Sequence, residues 1–318
     1  MRVGALRCPL VNRGGACAIV GAGGAGAARW GDSRVKLVRY GARGHEQPGI
    51  VDAGGVIRDV SHLIPDWTPA QLDSATLARV AQLEPRRLSA LPAGTRLGVP
   101  LAGIGKFIAI GLNYTDHAIE SGLTPPKEPV VFSKAISCLT GPSDPVMLPQ
   151  GSLKTDWEVE LGVVIGRRAR YVPQDQALAC VAGYCLIDDV SEREYQIERG
   201  GTWDKGKGCD TFGPVGPWLV TADELGEPQA VELWLDVNGV RRQRGSTANM
   251  IFPVAELVAY LSRFMTLEPG DLIATGTPAG VGMGMKPAPL YLKAGDHMRL
   301  GSPQLGVQEH EVEAWRAA

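Results

Sequence analysis

Three acids stand at alternate positions in "DWEVELGVVIG", residues 156–166, before the segment runs on as an apolar strand. Side chains of an extended chain alternate between faces, so Trp157, Val159, Leu161, Val163 and Ile165 point one way and Glu158 and Glu160 the other. The apolar face belongs in a core. Two carboxylates about 6 to 7 Å apart along a strand repel each other, and burying either one unpaired costs several kcal/mol. They must therefore face water, as on a solvated edge strand, or share a cation. Hard oxygen donors brought together from separate segments suit Mg²⁺, Mn²⁺ or Ca²⁺. A third carboxylate is at hand in "YCLIDDVSER", where Asp188 and Asp189 follow another apolar run, and either could complete an open set of three with Glu158 and Glu160.

A second candidate lies in "GLNYTDHAIESG". His117 and Glu120 are spaced i, i+3, which puts them within reach on one helical face. A carboxylate beside imidazole selects its tautomer and raises its basicity, as a general base for water requires. The competing reading is a surface ion pair on a short helix. Two glycine-rich stretches, "GGTWDKGKGCDTFGP" and "ATGTPAGVGMGMKP", have the character of binding loops, with Lys205, Lys207 and Thr277 placed to polarise a carbonyl or carboxylate. Turn glycines explain those stretches equally well. His45, His62, His297 and His310 have no comparable setting.

The elements that must carry these residues are short, β-rich and separated by Pro and Gly: "KFIAIGLNY", "PVVFSKA", "EVELGVVIG", "VAGYCLIDDV", "VELWLDVNGV", "DLIATGTP" and "DHMRLG". One amphipathic helix is expected over "FPVAELVAYLSRFM", with Val254, Leu257, Val258, Leu261 and Met265 on a single stripe. The pattern predicts a mainly β fold with α+β elements, mixed and mostly antiparallel, rather than a doubly wound sheet. Residues 34–104, with short strands and the helical "TPAQLDSATLARVAQL", read as a small N-terminal α/β cap domain, and residues 105–318 as the catalytic domain.

Residues 1–33 carry four arginines, no acid before Asp32 and the stretch "VGAGGAGAARWG". They read as an extension that is disordered or misassigned, with a targeting leader as the alternative. Gly21, Gly23 and Gly26 match GxGxxG, but a dinucleotide fold needs a full strand, helix and strand around them, and "RVKLVRYG" follows too soon. A formal net charge of -2, with no long Lys/Arg block, offers no footprint for nucleic acid or a membrane surface. No apolar run approaches the roughly 18 residues of a membrane span. Six cysteines without a CxxC pair or zinc spacing fit reduced thiols in the cytoplasm. A small-molecule partner is the expectation left.

Taken in chain order, "GLNYTDHAIE", "PVVFSKAISCLTGPSDPV", "DWEVELGVVIG", "GYCLIDDVSERE", "WDKGKGCDTFGPVGPW", "NGVRRQRGSTANMIF" and "LEPGDLIATGTPAGVG" resemble the characteristic blocks of the fumarylacetoacetate hydrolase superfamily, from about Lys106 to the C-terminal end. Within it, "ERGGTWDKGKGCDTFGPVGPWLV" and "GSTANMIF" are most similar to hydrolases of 2,4-diketo-3-deoxy-L-fuconate or L-rhamnonate. The resemblance implies a mixed β-sandwich roll that forms a homodimer behind a variable N-terminal domain. It implies Mg²⁺ or Mn²⁺ held by Glu158, Glu160 and Asp189, and water activated by His117 and Glu120. It makes Lys207 the catalytic loop lysine and places Lys134, Arg193, Gln196, Thr277 and Ser137 near substrate or metal. Nothing in that family corresponds to residues 1–33. The activity implied is hydrolysis of the C3–C4 bond of a 2,4-diketo acid to pyruvate and a short acid such as lactate. The alternatives are another acylpyruvate or fumarylpyruvate hydrolase; a ureidoglycolate lyase, oxaloacetate decarboxylase or isomerase of the same superfamily; or, from a different class, an inactive metal-binding module.

Overall fold

The structure, a computed structural model, describes residues 34–120, 122 and 124–317. The extension with Gly21, Gly23, Gly26, Cys8 and Cys17 lies outside the described residues. Strands β1 (Lys36–Tyr40), β2 (Gln47–Val51) and β3 (Ile57–Asp59) form an antiparallel meander. Helix α1 (Ser74–Ala81) follows; the Asp73 carboxylate accepts the N–H groups of Ala75 and Thr76 at its start, and Leu77 and Val80 are buried.

Next come β4 (Phe107–Gly111), α2 (Thr115–Glu120) and β5 (Val130–Ser133), then the short strands β6 (Leu139–Thr140), β7 (Val146–Met147) and β8 (Thr155–Asp156). The long strands β9 (Val159–Ile165) and β10 (Val181–Asp188) flank the helical turn α3 (Gln174–Ala177). Beyond them lie β11 (Ser191–Glu192), a π-helical turn over Glu194–Glu198, α4 (Asp204–Lys207), β12 (Gly213–Thr221) and α5 (Ala222–Leu225). The chain closes with the hairpin β13 (Glu232–Val237) and β14 (Val240–Ser246), helix α6 (Val254–Leu261), β15 (Leu272–Ala274), β16 (His297–Ser302) and β17 (Gly306–Glu313).

Ten strands form one sheet in the order β3-β2-β1-β12-β10-β9-β15-β4-β5, with β6 paired to β12; β14-β13-β16-β17-β7 form a second sheet of five. The pairings are antiparallel except β15 with β4, β12 with β6 and β17 with β7. This is the mainly antiparallel β fold with few helices that the segment pattern predicts. Because β1 pairs with β12, the N-terminal meander extends the same sheet, and one hydrophobic cluster runs from Val35 to Val312. Gln308 on β17 ties the two sheets, its amide donating to the carbonyls of Leu186 and Gly216 at 2.9 and 3.0 Å.

Helix α6 buries Val254, Leu257, Val258 and Leu261, but it ends four residues short of Met265, which is only partly buried. Ser262 supplies the reason. Its hydroxyl donates to the Ala259 carbonyl at 2.8 Å and accepts the Val172 N–H at 3.0 Å, a side-chain alternative to a further helical turn. No helix among the described residues is long and apolar enough to cross a membrane. Cys138, Cys180, Cys185 and Cys209 are free thiols.

Candidate active site

Strand β9 lies inside the large sheet, hydrogen-bonded to β10 on one side and β15 on the other, so it is no solvated edge. All seven of its residues are buried. Glu158 and Glu160 are 6% and 1% exposed, which removes the reading of two acids facing water. Antiparallel register brings the end of β10 alongside: Val159 faces Asp188, and the Asp189 N–H donates to the Glu158 carbonyl at 2.9 Å. The two aspartates then part. Asp188 accepts the Glu158 N–H at 2.9 Å, whereas Asp189 joins Glu158 and Glu160 in a buried trio whose carboxylate oxygens lie within 4.8 Å of one another.

Three buried cations surround the trio. The Lys207 ammonium sits 2.8 Å from Glu158 Oε2 and 2.7 Å from Asp189 Oδ2. Lys134 reaches Asp189 Oδ1 at 2.6 Å, and Arg193 spans Glu158 Oε1 at 2.7 Å and Asp156 Oδ2 at 2.8 Å. Glu160 differs, since the group that reaches its Oε2 is the Gly276 N–H at 2.7 Å. Gly276 has φ +100°, and a Cβ there would lie 2.7 Å from that of Asn113, so glycine is required at this close approach.

The result is a split between Glu158, just before β9, and Glu160 on it. Burial alone would push Glu158 up, but Lys207 and Arg193 override it and hold the carboxyl at about 2. Burial raises Glu160 well above the ordinary range, and repulsion from Asp189 and Glu158 adds to it. Burial likewise lifts Asp188 to about 7. Three hard oxygen donors within reach of one point, one of them a glutamate met by a backbone N–H, fit a divalent ion of the Mg²⁺ or Mn²⁺ kind.

Helix α2 supplies the second element. His117, 6% exposed, has Nδ1 3.4 Å from Glu120 Oε2. The Glu120 oxygens also accept the Gly280 N–H at 3.0 and 3.1 Å. Gly280 has φ +108°, and a Cβ would lie within 3 Å of the Arg242 backbone, so the glycine-rich loop can take this path only because the residue lacks one. Burial tends to raise the Glu120 carboxyl, but His117 and the loop N–H bring it below the ordinary value. The pair is therefore a partly buried, loop-anchored couple and not a surface ion pair.

These residues converge on one cavity of about 140 Å³, lined by His117, Glu158, Glu160 and Lys207. Arg193, Gln196 and Thr277 line it too, Gln196 accepting from Arg193 Nη1 at 3.0 Å. Thr277 Oγ1 donates to the Val159 carbonyl at 2.9 Å and accepts from Gln243 Nε2 at 2.8 Å, so its proton is engaged away from the cavity. Lys134 stands behind Asp189, its ammonium also donating to the Lys207 carbonyl at 2.5 Å. Ser137 is exposed on a short 3₁₀ turn away from the cavity lining. Lys205 is exposed and donates to the Arg199 carbonyl.

Two supporting residues escape a reading by residue type. Asp156 accepts the N–H groups of Gly282 and Met283 at 2.6 and 2.9 Å while pairing with Arg193, so it joins the glycine-rich loop to the acid cluster. Its place in the alternating run was the available signal. Gln243 on β14 accepts the Val159 N–H at 2.9 Å and donates to the Pro278 carbonyl at 2.8 Å, a role that nothing in "NGVRRQRGS" marks.

The sequence profile of the fumarylacetoacetate hydrolase C-terminal domain matches residues 106–313. A Burkholderia multivorans protein named only as a hydrolase is 59% identical over 282 residues, which cover 89% of this chain and 100% of that protein. A structure from Mycobacterium abscessus, described as a 2-hydroxyhepta-2,4-diene-1,7-dioate isomerase, is similar at TM-score 0.75 and 33% identity, over 89% of this chain and 100% of that one. Maleylpyruvate hydrolase from Sphingobium sp. SYK-6, solved with manganese(II) and pyruvate, is similar at TM-score 0.74 and 30% identity, over 88% of this chain and 100% of that one.

Proposed function

The chain belongs to the fumarylacetoacetate hydrolase family, and from that premise we propose that it hydrolyses the C3–C4 bond of a 2,4-diketo acid, releasing pyruvate and a second carboxylic acid. The observation that carries the reading is that Glu158, Glu160 and His117 line one cavity, with Asp189 within 4.8 Å of the two glutamates and Glu120 behind His117. Mg²⁺ or Mn²⁺ held by Glu158, Glu160 and Asp189 would supply Lewis acidity at the keto-acid head, lowering the cost of the enolate that leaves. Maleylpyruvate hydrolase with its manganese and pyruvate supports this part.

The rest falls to the chain's own groups. Glu120 accepts the Nδ1 proton of His117, which leaves Nε2 as the base that takes a proton from water. The resulting hydroxide adds to C4, and the Lys207 ammonium stabilises the alkoxide. Thr277 is less suited to that task because its hydroxyl is already engaged. The C3–C4 bond then breaks, its electron pair passes to C3 of the pyruvate enolate, and a proton returned to C3 completes the balance: one water consumed, two acids formed. A 2,4-diketo-3-deoxy-L-fuconate or L-rhamnonate, with its hydroxyethyl tail and lactate as the second product, is the narrower alternative within this class. The homodimer implied by the resemblance is part of the same proposal.

His117→Ala tests the water step. Turnover is expected to fall by about 10²- to 10⁴-fold with bound metal retained, followed as loss of enol absorbance and as metal content. Undiminished turnover would instead favour a lyase, decarboxylase or isomerase, which needs no activated water.

A further inference from the structure

We infer that the substrate's second acyl group is apolar and uncharged, an alkyl or aryl tail, and that Trp203 selects it; this rests on the 2,4-diketo acid reading above. The cations of the cavity are turned inward, Lys207 held between Glu158 and Asp189 and Arg193 between Glu158 and Asp156. Once the keto-acid head occupies the polar residues, the lining that remains is Ile110, Leu112, Phe132, Ile197, Trp203 and Met283. A carboxylate tail would find the nearest cation, Lys207, already held between Glu158 and Asp189. A hydroxyl would lose water for apolar neighbours, at a cost that an alkyl or phenyl group does not incur.

The wall is a built feature. Trp203 follows Gly200 and Gly201, whose φ values of +85° and +83° turn the loop, and it stands at the N-terminal end of α4, the helix that carries Lys207. Its ring packs at 5.2 Å and a 59° tilt on Phe132, over which the Lys207 ammonium lies at 5.1 Å. The indole also occupies the space over Gly111, where a Cβ would lie 2.8 Å from Trp203 Cη2. Glycine at the end of β4 is thus what admits the ring. Ile197 stands on the π-helical turn next to Gln196 with 54% of its surface exposed. An apolar tail reaching the mouth of the cavity would cover it.

The test compares four 2,4-diketo acids with the full chain and Mn²⁺: methyl, phenyl, 1-hydroxyethyl and carboxyethyl tails. The phenyl tail is expected to exceed the methyl tail about tenfold in kcat/KM, and the carboxyethyl tail by on the order of 100-fold. Trp203→Ala should lower kcat/KM for the phenyl tail about tenfold, mainly through KM, and narrow its lead over the methyl tail. Should that variant not fold, Ile197→Lys, at an exposed position, should raise the carboxyethyl rate about tenfold. A carboxyethyl or hydroxyethyl tail cleaved as well as the phenyl tail overturns the inference and leaves the hydrolase reading standing. So does an unaltered tail preference in both variants. Cleavage of none of the four overturns the hydrolase reading itself.

Discussion

The floor and the wall of one cavity are made differently. The floor is charged and stands on β9, the end of β10 and α4, where Glu158, Glu160 and Asp189 are fixed by strand register and three buried cations. The wall is apolar and comes from the ends of β4 and β5, the π-helical turn and two loops. A strand between two hydrogen-bonded neighbours cannot shift a carboxylate without breaking its ladder, and that rigidity suits the ion and keto-acid head of the proposed reaction. Side chains on loops can change size without disturbing the sheet. Under the proposed function, what every 2,4-diketo acid shares is met by the sheet, and what distinguishes them is met by the connections.

The comparison can be broken most severely at Glu160. Glu160→Gln keeps the volume and an acceptor for the Gly276 N–H but removes the charge. Turnover should fall to background and Mn²⁺ should no longer survive gel filtration. The metal-free protein should melt at the same temperature or higher, because its glutamate is held in a site where burial and neighbouring acids oppose ionisation. Full metal retention would remove Glu160 from the floor's function.

Arg193→Met asks the opposite question, what the buried cations contribute. It leaves Asp156 and Glu158 without their guanidinium, and urea unfolding should show a loss of about 3–5 kcal/mol. A loss under about 1 kcal/mol would mean that the floor's charges do not depend on one another.

The smallest effect comes from a buried titratable group that makes no ion pair. The ring nitrogens of His310 face neutral acceptors, the Asp144 carbonyl at 2.7 Å and Gln308 Oε1 at 2.9 Å. Burial draws its pKa from 6.5 to about 4. Below pH 6.5 the unfolded chain therefore takes up a proton that the folded chain refuses until about pH 4, so stability declines as pH falls through that window. The slope from this group is about 1.4 kcal/mol per pH unit. His310→Asn should flatten the curve there, read as urea midpoints at several pH values. If the wild type is no steeper than the variant, the ring is held as an imidazolium shared by its two acceptors, and burial without a counter-charge is not the cost it is at the floor.

Much of the site could be read from the chain because it is governed by short-range geometry. Alternation alone put Glu158 and Glu160 on one face, helical spacing alone brought His117 to Glu120, and the run of short strands broken by Pro and Gly indicated a mostly antiparallel β fold. Residue type was a poorer guide to Lys205, which is exposed; of the residues that the resemblance added, Ser137 is exposed and Lys134 reaches Asp189 at 2.6 Å.

What the sequence determined by itself was therefore the periodic part: which residues share a face and which segments are strands, since backbone sterics set those within a few residues. The tertiary structure brought Asp189, the acid that the resemblance implied, to the two glutamates, held one glutamate ionised while burial and neighbouring acids oppose ionisation of the other, and laid Trp203 over Gly111. Each of those outcomes depends on burial and on partners many residues away, and long-range packing, not local periodicity, sets the field a side chain feels.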